Sequence, residues 1–241
     1  MDRCVLVTGC RGSLGKFICL SLHNLGYKVV GFDRIALDQD EKIDYTYKNL
    51  DLLDQKSLEA VFLEFQTNDI MPNILINCAG TIHNELLVNP FSKEKKHSLK
   101  TWETTIHSNL TTTFLASSCF AEFLINNRLS GKIINFSSIS ANGTLGQSAY
   151  SAAKAGIEAL TKVWAEELGP FGISCSCIAP GYLDTKSTHN HMTDKNIKNI
   201  IGRTSSRRLG NLNELFEAVH FLMKNDFHNG KVLSLDGGLF I

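Results

Sequence analysis

Short apolar runs alternate with amphipathic stretches along this 241-residue chain, and that rhythm limits the fold more than any other feature. The runs are 4–8, 28–33, 74–77, 132–137, 174–179 and 231–235, and a weaker one over 45–51 makes a seventh. They are too short for helices and rich in Val and Ile, so they read as strands buried on both faces. Helical periodicity fills the gaps over 13–25, 54–65, 99–126, 149–168 and 212–223. The alternation predicts one α/β domain over residues 1–241, with a doubly wound, seven-stranded parallel sheet and helices on both faces.

Charge excludes some partners. Lys+Arg and Asp+Glu both number 24, so a nucleic-acid or membrane-surface role is not expected. No stretch approaches the roughly 18 apolar residues of a membrane span. Met1 leads almost directly into the 4–8 strand, so no signal peptide is read and a cytoplasmic protein is expected. The seven cysteines, mostly in apolar surroundings, read as reduced thiols. Cys175 and Cys177, two apart on one strand, are expected on opposite faces, against joint metal ligation; no metal site is expected.

Two polar stretches break the rhythm, 89–100 (NPFSKEKKHSLK) and 183–208. Both follow strands, where α/β sheets place binding loops, and 183–208 is read as a substrate lid.

The first strand runs into Thr8-Gly9-Cys10-Arg11-Gly12-Ser13-Leu14-Gly15 and then a helix. Glycines let the backbone turn tightly and approach a pyrophosphate, and the helix start offers free N–H groups to it. Asp33 ends the next strand, 18 residues past Gly15. A carboxylate there accepts from the adenosine ribose hydroxyls and repels a 2′-phosphate, which favours NAD over NADP. Arg34 is the competing element, because it would pair with that phosphate. Asp51, with Leu52 beside it, ends the third strand and is placed at the adenine. The small residues of Asn77-Cys78-Ala79-Gly80 leave room for a ligand at the fourth strand's end.

Tyr150 and Lys154 stand four apart at the start of a helix, on one face. An ordinary tyrosine, with a pKa of about 10, is a poor base near neutrality, and a neighbouring ammonium favours its phenolate. Ser137 and Ser138, at the preceding strand end, offer hydroxyls to a substrate oxygen.

Taken in order, TGCRGSLG at 8–15, Asp33, Asp51, NCAG at 77–80, Asn109 in IHSNL, INFSS at 134–138, Tyr150-x-x-x-Lys154, Pro180-Gly181 with Thr185, and Arg208-Leu209-Gly210 with Asp236-Gly237-Gly238 resemble the short-chain dehydrogenase/reductase family in its short single-domain, Rossmann-type form. The resemblance runs from Cys4 to the last residues. It implies NAD(P)-dependent interconversion of a secondary alcohol and a ketone, similar to 3-oxoacyl-carrier-protein reductases and to sugar or alcohol dehydrogenases, on a small-molecule substrate. In that family Tyr150 would exchange the proton, and Lys154 would hold the nicotinamide ribose and lower the tyrosine's pKa. Ser138 would orient the substrate oxygen, and Asn109 would anchor a relay water. The backbone after Pro180-Gly181 and the Thr185 hydroxyl would hold the carboxamide.

Three departures stand out. The glycine loop reads T-G-x-x-G-x-x-G, with Gly12 and Ser13 where relatives have the glycine at 13. Ser138 lies 12 residues before Tyr150, where many relatives show 13; counting back 13 selects Ser137, but the INFSS register selects Ser138. The 89–100 stretch is long. An epimerase or dehydratase that recycles bound NAD, and a non-catalytic cofactor sensor, are the rival functions. Helices 99–126 and 149–168 carry wide apolar faces, with Trp102, Ile106, Leu110, Phe114, Leu115, Phe120, Phe123 and Leu124 in the first and Ile157, Leu160, Val163 and Trp164 in the second. With the apolar tail Leu239-Phe240-Ile241, these predict a homotetramer, or at least a homodimer.

Overall fold

The computed structural model describes residues 4–38, 40–68 and 70–239. Seven strands form one sheet in the order β3-β2-β1-β4-β5-β6-β7. They are β1 (Cys4–Thr8), β2 (Lys28–Asp33), β3 (Thr46–Asn49), β4 (Pro72–Asn77), β5 (Gly131–Phe136), β6 (Ile173–Pro180) and β7 (Val232–Leu235). Every pairing is parallel. The helices are α1 (Ser13–Asn24), α2 (Gln55–Thr67), α3 (Leu99–Ile106), α4 (Thr112–Asn126), α5 (Ser148–Leu168), α6 (Lys186–His191), α7 (Asp194–Arg203) and α8 (Leu212–Lys224).

Strand alternation builds two cores, one on each face of the sheet. In β1, Val5 and Val7 pack with Ile18 and Leu22 of α1 and Leu215 and Val219 of α8. Cys4 and Leu6 point the other way, toward Phe62 and Phe65 of α2, Phe120 of α4 and Trp164 of α5. Phe32 stacks on Phe65 with centroids 6.1 Å apart. Both rings are fully buried, and each contributes about 1.5–3 kcal/mol by leaving water. The strand order reverses between β1 and β4, which opens a crevice at their carboxyl ends.

Several expectations need correction. The 99–126 helix forms, but His107–Thr111 is a π-turn between α3 and α4. The polar 183–208 stretch contains two helices, α6 and α7, with Thr185 and Thr193 as side-chain N-caps. Its large apolar residues are Leu183, Met192 and three isoleucines, of which Ile197 is buried, too sparse to be read as periodicity. The third strand is shorter than 45–51, and Tyr45 packs in the α1 core instead. Cys175 and Cys177 do not face opposite ways. Side chains two apart on a strand share a face, and Cys175 packs in the α5-side core while Cys177 lies by Thr161 and Glu158 of α5. Phe120, Phe123 and Leu124, read as surplus apolar surface, are buried within the chain's own core. Trp102, Phe114 and Val163 do remain exposed, at 39%, 47% and 47%. Of the apolar tail, Phe240 and Ile241 lie outside the described residues, as does Met1.

The 89–100 stretch folds back on the catalytic half. Val88 bridges Lys96 in antiparallel fashion, and Glu85 bridges Gln147, the residue just before α5. Helix α3 then begins at Leu99, with the Ser98 hydroxyl accepting from the Thr101 N–H at 3.0 Å.

Candidate active site

The loop after β1 is shaped by what its glycines must avoid. Gly9 takes φ +68°, and a Cβ there would lie 2.7 Å from the Ala79 Cα. A Cβ on Gly15 would meet the Gly9 carbonyl oxygen at 2.2 Å. The backbone turn therefore nests against the end of β4 and opens α1 beside it, with Gly12 as the extended residue before the helix. Thr8 ties the two strand ends together, its Oγ1 accepting from the N–H groups of Cys78 and Ala79 at 3.1 and 3.2 Å. Ser13 begins α1 on the solvent side, and Leu14 packs against the α1 core. This tight glycine turn at a helix start fits a pyrophosphate.

Asp33 ends β2 with both carboxylate oxygens engaged. Oδ2 accepts from the Arg11 N–H at 2.9 Å and Oδ1 from the Ile35 N–H at 3.0 Å. Arg34 is exposed beside it. Arg11 forms a two-pronged ion pair with Glu41, with Nη2 donating to Oε2 at 2.6 Å. Glu41 carried no signal in the sequence, because its loop has no periodicity and the pairing spans 30 residues. The exposed Asp51 carboxylate accepts from the Leu53 N–H at 3.0 Å, while the Leu52 side chain packs into the core.

Asn77 is tied into the protein through its amide nitrogen, while its Oδ1 is buried with no partner in the protein. Its side chain is buried and its Nδ2 donates to Ser117 Oγ at 2.8 Å and to Asn135 Oδ1 at 2.9 Å. Asn135 in turn donates to Thr161 Oγ1 at 2.9 Å. The network pins the ends of β4 and β5 to α4 and α5.

The opposite wall holds the Tyr–Lys pair. Helix α5 starts at Ser148, which places Tyr150 and Lys154 on its first two turns, both buried. Lys154 Nζ lies 5.5 Å from the centre of the Tyr150 ring and donates to the Phe136 carbonyl oxygen at 2.8 Å. Burial pulls the Lys154 pKa down to about 8. Burial also dominates at Tyr150, pushing its pKa up to about 12, while a hydrogen bond with the Ser138 hydroxyl acts to lower it. The nearby Cys78 thiol adds to the upward shift. Ser138 is the hydroxyl at Tyr150. Ser137 points into the protein and donates to Glu158 Oε1 at 2.7 Å and to the Lys154 carbonyl oxygen at 3.3 Å.

Asn109 sits in the π-turn, a widened helical turn of the kind found at functional sites. Its Nδ2 donates to the carbonyl oxygens of Thr81 and Thr105 at 2.8 and 2.9 Å. Its Oδ1 is buried with no partner in the protein. A Cβ placed on Gly80 would be 2.3 Å from that oxygen and 3.6 Å from Lys154 Nζ. Asn109 and Lys154 therefore face one another across Gly80, and an orphaned acceptor in a polar site suits a bound water.

Pro180 ends β6, and a Cβ on Gly181 would meet the Asp236 Cα at 2.8 Å, so the segment is held close to the residues after β7. The Thr185 hydroxyl caps α6, accepting from the Thr188 N–H at 3.2 Å. Tyr182 and Asp184 pair with Gly210, fixing both ends of the 183–208 segment beside one another.

A parallel α/β sheet thus carries a glycine-lined turn at its switch point and a buried Tyr–Lys pair across the crevice. The family model "short chain dehydrogenase" matches residues 3–196. The chain is 31% identical to the 3-oxoacyl-(acyl-carrier-protein) reductase FabG of Buchnera aphidicola, over 98% of this chain and 96% of that protein. It is 33% identical to a (3R)-3-hydroxyacyl-CoA dehydrogenase of Canis lupus familiaris, over 70% of this chain and 64% of that one. Among solved structures, a short chain dehydrogenase from Leptospira borgpetersenii with bound NAD+ superposes with a TM-score of 0.88 at 28% identity, covering 100% of this chain and 94% of that one. The chain belongs to the short-chain dehydrogenase/reductase family and is an NAD(P)-dependent oxidoreductase of that family. Among the described residues, no helix is long and apolar enough to cross a membrane.

Proposed function

We propose that this enzyme interconverts a secondary alcohol and a ketone, with Tyr150 as the proton donor and acceptor and NAD as the preferred cofactor. The observation that carries the reading is the buried Tyr150 hydroxyl, hydrogen-bonded to Ser138 and flanked by the Lys154 ammonium. The residues fit the cofactor: Gly9, Arg11, Gly12, Ser13, Leu14 and Gly15 form the pyrophosphate cradle, and Asp33 faces the adenosine ribose. Asp51, the Leu52 backbone, Ala79 and Gly80 line the crevice. Pro180, Gly181 and Thr185 border the nicotinamide end. When bound, the nicotinamide supplies or accepts the hydride.

In the reducing direction Tyr150 gives its proton to the carbonyl oxygen, which Ser138 orients by a hydrogen bond. The phenolate left behind is favoured by the nearby Lys154 ammonium. Asn109, through its free Oδ1, holds a water that returns a proton by way of Lys154. The 183–208 segment, tethered at Gly210, acts as the substrate lid. Similarity to FabG and to a 3-hydroxyacyl-CoA dehydrogenase supports a 3-oxoacyl or 3-hydroxyacyl thioester as substrate. The test is a panel of 3-oxoacyl thioesters, simple ketones and sugars with NADH and NADPH, followed by nicotinamide absorbance. Turnover of thioesters above the others is expected, and no turnover of any carbonyl compound overturns the reading.

A further inference from the structure

We propose that Glu41 sets cofactor choice by occupying the basic groups that would otherwise bind a 2′-phosphate. The inference rests on the reading of Asp33 as the residue at the adenosine ribose. The Asp33–Arg11 backbone bond, 2.9 Å, fixes Arg11 at that carboxylate, so the Arg11 side chain starts from the ribose end of the site. Its guanidinium keeps only Nε, which is buried, without a partner. Both terminal nitrogens are taken by the two Glu41 oxygens, and the Arg11 and Glu41 side chains are only 14% and 22% exposed. Lys16, on the first turns of α1, reaches the same carboxylate at 3.8 Å.

The geometry is that of a bound anion. A planar guanidinium grips two oxygens of one acidic group, with an ammonium as the outer partner, which is how arginine and lysine hold a phosphate. Here the anion is supplied by the chain itself, from the loop after β2. A ribose 2′-phosphate, close to a dianion at neutral pH, would have to displace Glu41 as well as approach Asp33. A free 2′-hydroxyl needs neither. Two carboxylates from different places thus act together: Asp33 repels the phosphate directly, and Glu41 withholds the cations that would compensate.

Glu41→Gln keeps the size and removes the charge. Binding of 2′,5′-ADP and of 5′-ADP, measured by titration calorimetry on the whole chain, reads the site without any turnover. In the variant 2′,5′-ADP affinity should rise on the order of 10-fold, as for one gained charged hydrogen-bonded contact, while 5′-ADP affinity stays within about 3-fold. The ratio of kcat/KM for NADPH over NADH should rise in parallel. Adding Arg11→Ala to Glu41→Gln should abolish the gain. An unchanged ratio of 2′,5′-ADP to 5′-ADP affinity overturns the proposal, and so does an equal fall for both nucleotides, which marks Glu41 as a structural clamp only. Absence of carbonyl turnover, with the affinity ratio shifted as expected, would instead count against the proposed reaction.

Discussion

The Lys154 ammonium donates to the Phe136 carbonyl oxygen at 2.8 Å, so the helix bearing Tyr150 is anchored to the end of β5 by the same group that faces its ring. That one bond does not offset burial, and the Lys154 pKa falls from 10.5 to about 8. The cost of burying the charge is complete below about pH 8 and disappears above the unfolded value of 10.5. The advantage in stability of Lys154→Met over the natural protein should therefore be largest near neutrality and shrink as pH rises from about 8 to about 10. Buried thiols with raised pKa values, such as Cys10 and Cys175, lower stability over this range in both proteins, so the difference between the two is the quantity to follow. Urea midpoints at several pH values measure it. A difference that grows with pH contradicts the assignment.

Tyr150→Phe removes one hydroxyl from a packed site. Turnover should drop by about 10² to 10⁴, the usual worth of general acid–base help, with cofactor affinity nearly unchanged. Steady-state kinetics alongside nucleotide titration separates the two effects. Near-normal turnover would remove Tyr150 from the mechanism.

Asp33→Ala takes away the carboxylate proposed to meet the ribose. The preference for NAD(H) in kcat/KM should narrow or reverse, with Arg34 free to pair with the phosphate. Thermal stability should also fall, because the N–H groups of Arg11 and Ile35 lose their acceptor. A natural protein that already prefers NADP(H) would show that the basic residues dominate.

The asparagine pair between β4 and β5 is a structural device. Asn135→Ala leaves Thr161 Oγ1 without its donor and Asn77 with Ser117 alone. Stability should fall by about 2 kcal/mol or more, the cost of stranding buried polar groups. Chemical denaturation measures this, and nucleotide affinity should hardly move. Loss of affinity with unchanged stability would mark Asn77 as a cofactor residue.

Exposed Trp102, Phe114 and Val163 lie on the α3–α4 and α5 helices, where a second copy would cover them. The expected assembly is a homotetramer, or at least a dimer through these helices. Light scattering on a size-exclusion column at micromolar concentration decides it, and a mass near 26.7 kDa would contradict the expectation.

The amino-acid order alone determined the sheet and the placement of the motifs. Short Val- and Ile-rich runs, helices with period 3.6 and glycines at a strand–helix junction are local signals, and β1, β2 and α5 form within a residue of where they were read. Tyr150 and Lys154 could be paired because four residues on a helix make one face. Tertiary structure decided everything that depends on contacts distant in sequence. The choice between Ser138 and Ser137 rests on which hydroxyl the β5 end turns toward α5, and the Arg11–Glu41 pair joins two loops 30 residues apart. NCAG is a local motif, but the partners of the Asn77 amide nitrogen, Asn135 and Ser117, lie 58 and 40 residues away. The raised Tyr150 and lowered Lys154 pKa values likewise follow from burial. Burial belongs to the packed whole, since no stretch of chain can exclude water from its own side chains.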